Sequence, residues 1–456
     1  MNHWLPERTG AGLFYMAAAL LVLAFLTGGG ASDRGIGDAA TQLLACAVLP
    51  LALHCLSKRA QPIPRLRWIL LLATLVPAGI ALQLAAGLTR TPWATERALW
   101  SILPALAAFV SALALPRRRQ VHLAWTIVSL AAASLILGYL QLGAPQDSIL
   151  NPFPELPPVL NGVFANQNHQ ATAIGIALVL LAAWAFDPRR RLDEEDAPPH
   201  SRTAGLIAAG GLALLLLVAL PLVGSRAMAL ISIGALLLVP AATGWLRQRL
   251  GRRGRRRQGT FLLLGGLVAG ALVLVALSGW IKVDYSSETR IAMARATAAL
   301  AADAMPWGSG IGSFVQWFDA HTPDEALQWA YVNHAHNEYA QWWLESGILG
   351  LAWIALLAVG MAWSLPRCAW RADAQPDGLA AGSWLAVAVV LAHSFVDYPL
   401  RTPAIMTVAA FLAGVAAQAA ALRLGAPPLS PAVRRSGTPA EESMLGRDPA
   451  PWPGSD

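Results

Sequence analysis

Charge is scarce in this chain. Asp, Glu, Lys and Arg make up 13% of its 456 residues, about half the share of an ordinary soluble domain, and that excludes a soluble enzyme. Cysteine is rare as well: Cys46, Cys55 and Cys368 stand in or next to apolar segments without metal-ligand spacing, so neither a disulfide framework nor a zinc site is expected. Ionisable residues are almost missing from the centres of the apolar blocks, where a proton-coupled carrier needs buried carboxylates. No repeat recurs at a fixed period. The turn Gly308-x-Gly310-x-Gly312 lacks the surrounding βαβ unit of a dinucleotide fingerprint. The net charge of +7 would suit nucleic acid, yet the cations lie in short runs beside apolar blocks rather than along one soluble face, so they read as topology signals and no nucleic-acid partner is expected.

What fills the chain is hydrophobic residues, 56% of the total, in blocks of about 20, the length that crosses a bilayer core as a helix. Twelve spans are predicted, over 11–28, 37–56, 66–87, 98–116, 121–143, 170–187, 204–223, 227–246, 260–281, 345–364, 378–396 and 402–422. The expectation is therefore an all-α integral membrane protein with about 12 transmembrane helices, one polytopic domain over 1–423 and a disordered tail over 424–456, where seven prolines mix with charge. Arg8 before the first apolar run gives it the outline of a signal peptide, but eleven further spans favour an uncleaved helix.

Cation counts orient these spans. The even-numbered loops and the C-terminal tail hold 24 Lys and Arg; the odd-numbered loops hold five, leaving out the 63-residue stretch 282–344. Both termini are thereby expected on the cytoplasmic side, and two long connections on the other side of the membrane. The first, 144–169, has five prolines and no Lys or Arg and ends in Asn161-Gly162-Val163-Phe164-Ala165-Asn166-Gln167-Asn168-His169. The second, 282–344 between spans nine and ten, contains a helical stretch near 289–304 and the Gly308–Gly312 turn. Long structured loops inside a compact fold are usually functional.

The densest polar constellation runs from Asn333 to Gly350. On a helix, His336, Ala340, Trp343, Gly347 and Gly350 follow one stripe, which would let two glycines pack closely against another helix while His336 sits at the membrane surface. The alternative is an interfacial cap with its tryptophans in the aromatic belt. A metal site on His334 and His336 is weaker, because i and i+2 project from different sides of a helix. Arg226 is the sole charge between 203 and 246. An arginine in a turn of almost no length between two spans is a functional candidate, with snorkelling to lipid phosphate as the alternative. Arg290 and Arg295 share the 289–304 stretch but stand about 140° apart, so one of them, Arg290 for preference, faces a common site; a surface pair with Glu288 or Asp284 is the other reading of Arg290. His393 and Asp397 are i and i+4, with Arg401 a further turn on unless Pro399 breaks the helix; they read either as an internally neutralised pair or as substrate contacts.

Taken together these residues resemble the O-antigen ligase and polymerase superfamily of the bacterial envelope. The resemblance covers roughly 160–400 and rests on four places: His336-Asn337, nine residues, then Gly347-x-x-Gly350; Gly224-Ser225-Arg226; an arginine-led helix followed by Pro306-Trp307-Gly308-Ser309-Gly310; and Gly162-x-Phe164-x-Asn166-x-Asn168. It implies a GT-C-like fold and transfer of a glycan from undecaprenyl pyrophosphate to an acceptor glycan or lipid A core at the periplasmic face. Arg226 and Arg290 match the positions that would stabilise the leaving pyrophosphate, and His336 would serve as general base or as a further phosphate ligand. Asn337, His334, Asn166, Asn168, Arg295, His393 and Arg401 are candidate substrate contacts. The two arginines supply positive charge where pyrophosphate develops, so neither metal nor cofactor is expected, and the partners implied are lipid-linked glycan, acceptor and membrane lipids. The superfamily holds O-antigen ligases, polymerases and protein O-oligosaccharyltransferases; the His393–Pro403 segment looks more like the exopolysaccharide polymerases. A lipid-linked glycan transporter is the alternative of a different class, although neither related halves nor broken helices at the midplane are visible.

Overall fold

The structure is a computed structural model that describes residues 7–30, 36–58, 65–154, 159–190, 199–246, 285–322, 332–370 and 377–425, together with positions 264 and 267. Apart from positions 264 and 267, the expected span 260–281 falls outside the described residues, as do residues 426–456 of the expected disordered tail, Asp284 and the side chain of Glu288. Among the described residues the chain is all helical, with no strand. In order the helices are α1 (Glu7–Thr27), α2 (Ile36–Ser57), α3 (Leu66–Ala85), α4 (Pro92–Ser101), α5 (Leu103–Ala114), α6 (Arg117–Leu142), α7 (Gln167–Ala185), α8 (Pro199–Val223), α9 (Arg226–Ala242), α10 (Tyr285–Asp303), α11 (Phe314–His321), α12 (Glu338–Leu365), α13 (Gly378–His393) and α14 (Pro403–Gly425). Nine stretches among them are long and apolar enough to cross a membrane, with α9 and α13 as shorter apolar helices. This is a membrane protein. One expected span is interrupted: α4 and α5 meet at Ile102, because Pro104 has no N–H to continue the helical ladder.

Burial ranks the helices. In α7, 83% of the membrane-length window lies inside the protein, against 11% in α3 and in α12. The composition of α7 explains its central place: Ala, Gly and Thr alternate with Ile, Leu and Val around the whole helix, so every face can approach a neighbour. Gly175 is the tightest of these approaches, since a methyl group there would stand 2.3 Å from the Met228 side chain of α9. Around α7 the core closes with α13, α14, α5 and α1, while α3 and α8 turn rows of leucine outward, as lipid-facing helices do.

The two ends of the bundle differ. At one end the odd-numbered loops meet: Ala404 N–H donates to Gly28 O (3.1 Å), Ala165 N–H to Gly29 O (3.1 Å) and Arg90 N–H to Ser309 O (2.9 Å). The Gly224 turn lies against Gln167 there as well. At the other end the cation-rich loops meet: Arg117 pairs with Asp187 (2.7 Å) and Asp377 (3.4 Å), and Arg189 pairs with Asp377 (2.9 Å). Asp377 also caps α13 by accepting from Ala380 N–H. The alternation counted from cations is thus an alternation in space.

One feature departs from the expected stripe. Gly347 does not pack a neighbouring helix against an unbroken α12. It stands at φ +56°, ψ −134°, where the helix kinks. Pro306–Gly310 crosses the kink: Ser309 N–H donates to Leu344 O (2.9 Å), Gly310 N–H to Glu345 O (3.0 Å) and Ile348 N–H to Pro306 O (2.9 Å). A Cβ on Gly347 would lie 2.1 Å from Pro306 O. The buried Gln83 of α3 completes the junction, donating to Trp307 O and Glu345 O and accepting from Ile311 N–H. His336, for its part, is not helical: it precedes Asn337, the N-cap of α12, so the predicted helix-face stripe through it does not exist.

Candidate functional site

At the odd-loop end, four segments converge on one carboxylate. Asp397 follows the end of α13 and is fully buried. Its Oδ1 accepts from Tyr398 N–H at 2.8 Å, and the same oxygen faces His169 Nε2 at 3.6 Å and His336 Nδ1 at 3.7 Å. Its Oδ2 faces Arg290 Nη1 at 3.6 Å. These separations are about half an ångström longer than formed hydrogen bonds, so attraction between charge and dipole operates before the contacts close. Arg290 also donates to Val396 O (3.4 Å). His169 sits in the first turn of α7, Arg290 in α10 and His336 before α12, which makes Asp397 the residue that ties all three elements together.

Burial alone would raise the Asp397 carboxyl, but the His169 imidazole and the charges of Arg290 and His336 outweigh it and hold the group well below the usual carboxylate range. Asp397 is an anion at neutral pH. Burial pushes the His336 imidazole down to about 4, with Arg290 adding to the shift and Asp397 opposing it. His336 is therefore neutral in the free protein. Its Nδ1 faces Asp397 Oδ1 at 3.7 Å, and the tautomer with its hydrogen on that side carries the lone pair on Nε2. His336 is also the only described residue other than glycine with a positive φ, +50°. Such backbone persists where the surroundings over-determine it, and it clusters at functional sites.

Tyr398 occupies the middle of the histidines, its ring 4.9 Å from His169, 4.3 Å from His334 and 4.8 Å from His336. Its hydroxyl meets Asn166 Nδ2 and Asn333 Nδ2, each at 3.4 Å. Beside this cluster Arg401 pairs through Nε with Glu338 (3.0 Å) and through Nη1 with Glu345 (2.8 Å).

The cluster forms the polar end of a cavity of about 1360 Å³. Asn166, His169, Arg290, His334, Tyr398 and Arg401 line that end. Below it the walls turn apolar, with Leu72 and Val76 of α3, Leu356 of α12 and Met406 and Ala413 of α14. A charged head and a long apolar tail could be held together in such a space.

Residues 211–364 match the family model described as O-Antigen ligase. The match spans about a third of the chain and supports its resemblance to the O-antigen ligase and polymerase superfamily. No curated protein matches the chain. The matched segment contains Arg226, Arg290 and His336, while His169 and Asp397 lie outside it and are brought to Arg290 and His336 by the fold.

The predicted site residues separate on inspection. His334, Arg290, Asn166, Asn168 and Arg401 line the cavity's polar end, and His336 stands behind it, against Asp397 and the Tyr398 ring. Asn337 spends both ends of its amide on structure, accepting from Ala340 N–H (3.0 Å) and donating to Phe395 O (3.1 Å). His393 is turned inward to Thr172 Oγ1, 2.9 Å away; helix α13 ends at His393, so Asp397 leaves that face and serves Arg290 and His336 instead. Arg295 is exposed on the other side of α10. Arg226 begins α9 as an exposed side chain, in the turn that rests on Gln167 beside Asn166; it does not touch the Asp397 cluster. Helix spacing had paired Asp397 with His393 and left His169, Tyr398, Glu338 and Glu345 unassigned. A buried carboxylate among apolar spans was the one signal that could have found the hub.

Proposed function

We propose that the protein transfers a glycan from undecaprenyl pyrophosphate to an acceptor sugar at the periplasmic face of the inner membrane, as an O-antigen ligase or surface-polysaccharide polymerase. One observation carries this reading: a neutral histidine and a buried carboxylate meet an arginine that lines the polar end of an apolar-walled cavity, at the cation-poor end of a membrane bundle. The polyprenyl tail takes the apolar walls and the diphosphate takes Arg290, with Arg226 reaching it from the neighbouring turn. Planar guanidinium forks stabilise the charge that gathers on the leaving diphosphate as the glycosidic bond breaks. Nε2 of His336 removes the proton from the attacking hydroxyl, and Asp397 stabilises the imidazolium that forms. Negative charge on the bound diphosphate raises the affinity of His336 for that proton, so the base strengthens once the donor is in place.

The test is a reconstitution with purified protein, undecaprenyl-pyrophosphate glycan and a set of acceptors. A single glycan on lipid A core identifies a ligase, a ladder on undecaprenyl pyrophosphate a polymerase, and a modified polypeptide a protein glycosyltransferase. No product with any acceptor, combined with movement of lipid-linked glycan across vesicles, overturns the reading in favour of a transporter. Sidedness is tested separately: cysteines introduced in 144–154 and 311–320 label with an impermeant maleimide in intact cells, and labelling only after lysis reverses the orientation.

A further inference from the structure

Residue His336 is held in left-handed backbone, a conformation that is unfavourable for a residue with a side chain. Something on each side must hold it. Downstream, Asn337 caps α12, and Glu338 N–H donates to Ser394 O at 2.9 Å. Upstream, Asn333 Nδ2 meets the Tyr398 hydroxyl at 3.4 Å, and the backbone next to His336 is held by a side chain. Ala335 N–H donates to the side-chain oxygen of Gln341, 3.1 Å away.

Gln341 is 1% exposed and lies on the inner face of α12. Because its Oε1 accepts from a backbone N–H, which can only donate, the orientation of the amide is settled and Nε2 carries the two hydrogens. One goes to Glu345 Oε1 (3.1 Å) and the other to His334 Nδ1 (3.2 Å). That makes His334 Nδ1 an acceptor, so the neutral imidazole keeps its hydrogen on Nε2. Burial, with the charge of Arg401 beside it, holds His334 well below the ordinary imidazole range, in keeping with an acceptor role. Glu345 is itself fixed by Arg401, which holds Glu338 as well. A rigid chain therefore runs from Arg401 through Glu345 to Gln341, and ends on the two residues that precede His336.

We infer that Gln341 is a positioning residue, which pins the His334–Ala335 segment so that His336 is presented to Asp397. The inference rests on the role proposed above for His336, but the anchoring itself can be read without turnover. Gln341→Met keeps the length and removes all three hydrogen bonds. Gln341→Asn keeps the amide and is one methylene too short to reach Ala335 and Glu345 together, so it decides the matter if the methionine variant fails to insert.

The first readout is carbethoxylation of His336 by diethyl pyrocarbonate, followed by peptide mass spectrometry with His54 as internal reference. Release of the loop should raise the rate at His336 by about threefold or more. The second is steady-state transfer: kcat should fall by about tenfold or more while the KM for lipid-linked donor changes little, since misplacing a reacting group acts on the chemical step. The third is the pH profile of kcat/KM. The groups facing His336 are Asp397, Arg290, His169 and the Tyr398 ring, and a released imidazole leaves them for water, so the acid limb should move up from about 4 towards the ordinary imidazole value. A His336 modification rate equal to wild type in a folded variant overturns the inference whether or not transfer is observed. A raised rate at His336 in a protein that transfers no glycan, in wild type as in variant, leaves the anchoring in place and removes the proposed function instead.

Discussion

Replacing Asp397 by Asn tests the site at its centre. The substitution keeps shape, and the structure fixes how the amide would sit: Oδ1 must still accept from Tyr398 N–H, so the oxygen stays towards His169 and His336 and the new NH₂ group falls opposite Arg290. His336 then keeps an acceptor for its Nδ1 hydrogen and loses only the negative charge. At 3.7 Å an imidazolium–carboxylate pair is worth about 4 kcal/mol in a medium of effective dielectric about 20. That is a gross figure, and the amide dipole restores part of it. A net loss of about 2–3 kcal/mol from the transition state corresponds to about a hundredfold in kcat. The KM for donor should be unchanged or lower, because Asp397 Oδ2, now 3.6 Å from Arg290, no longer competes with the diphosphate for that guanidinium. Initial rates against donor concentration in detergent or nanodiscs, with melting temperature as the control for folding, measure both effects. A folded Asn variant with kcat within about threefold of wild type would refute the view that Asp397 stabilises a cation on His336.

Three further outcomes are expected. Arg226→Ala, Arg290→Ala and His336→Ala should each reduce transfer by about a hundredfold or more with normal membrane insertion, whereas Arg295→Ala, on the exposed side of α10, should stay near wild type; a fully active Arg226→Ala would remove that residue from the diphosphate clamp. The acid limb of kcat/KM should fall near pH 4, since His336 is neutral in the free protein down to about 4, and the limb of kcat should lie higher because bound diphosphate stabilises the imidazolium; coincident limbs would argue against His336 as the titrating base. Gly347→Ala places a methyl group 2.1 Å from Pro306 O at φ +56° and should destabilise the protein by about 3–5 kcal/mol, seen as a lowered melting temperature in detergent; an unchanged melting temperature would mean that the crossing of Pro306–Gly310 relaxes freely.

The apolar blocks by themselves marked where most of the described helices lie, because a bilayer imposes length and hydropathy on each span locally, although the start of α12 and the break between α4 and α5 were not legible there. Cation counts likewise sorted the loops into two groups, and Arg117, Asp187 and Asp377 at one end against His169, His336 and Asp397 at the other show the same grouping in space. Helical geometry alone required that only one of Arg290 and Arg295 face the site, and the structure turns Arg290 to Asp397 and leaves Arg295 exposed. Motif spacing found His336 but misread its setting: the regular helix needed for the His336–Gly347 stripe ends at Asn337 and kinks at Gly347, and what occupies the kink is Pro306–Gly310, a segment about forty residues upstream. Asp397 shows the same limit from the other direction. Its nearest periodic partner, His393, turns to Thr172, while its actual partners come from α7, α10 and the loop before α12. A buried carboxylate takes whichever donors the packing of distant segments brings to it. Which donors those are was decided only by the tertiary structure.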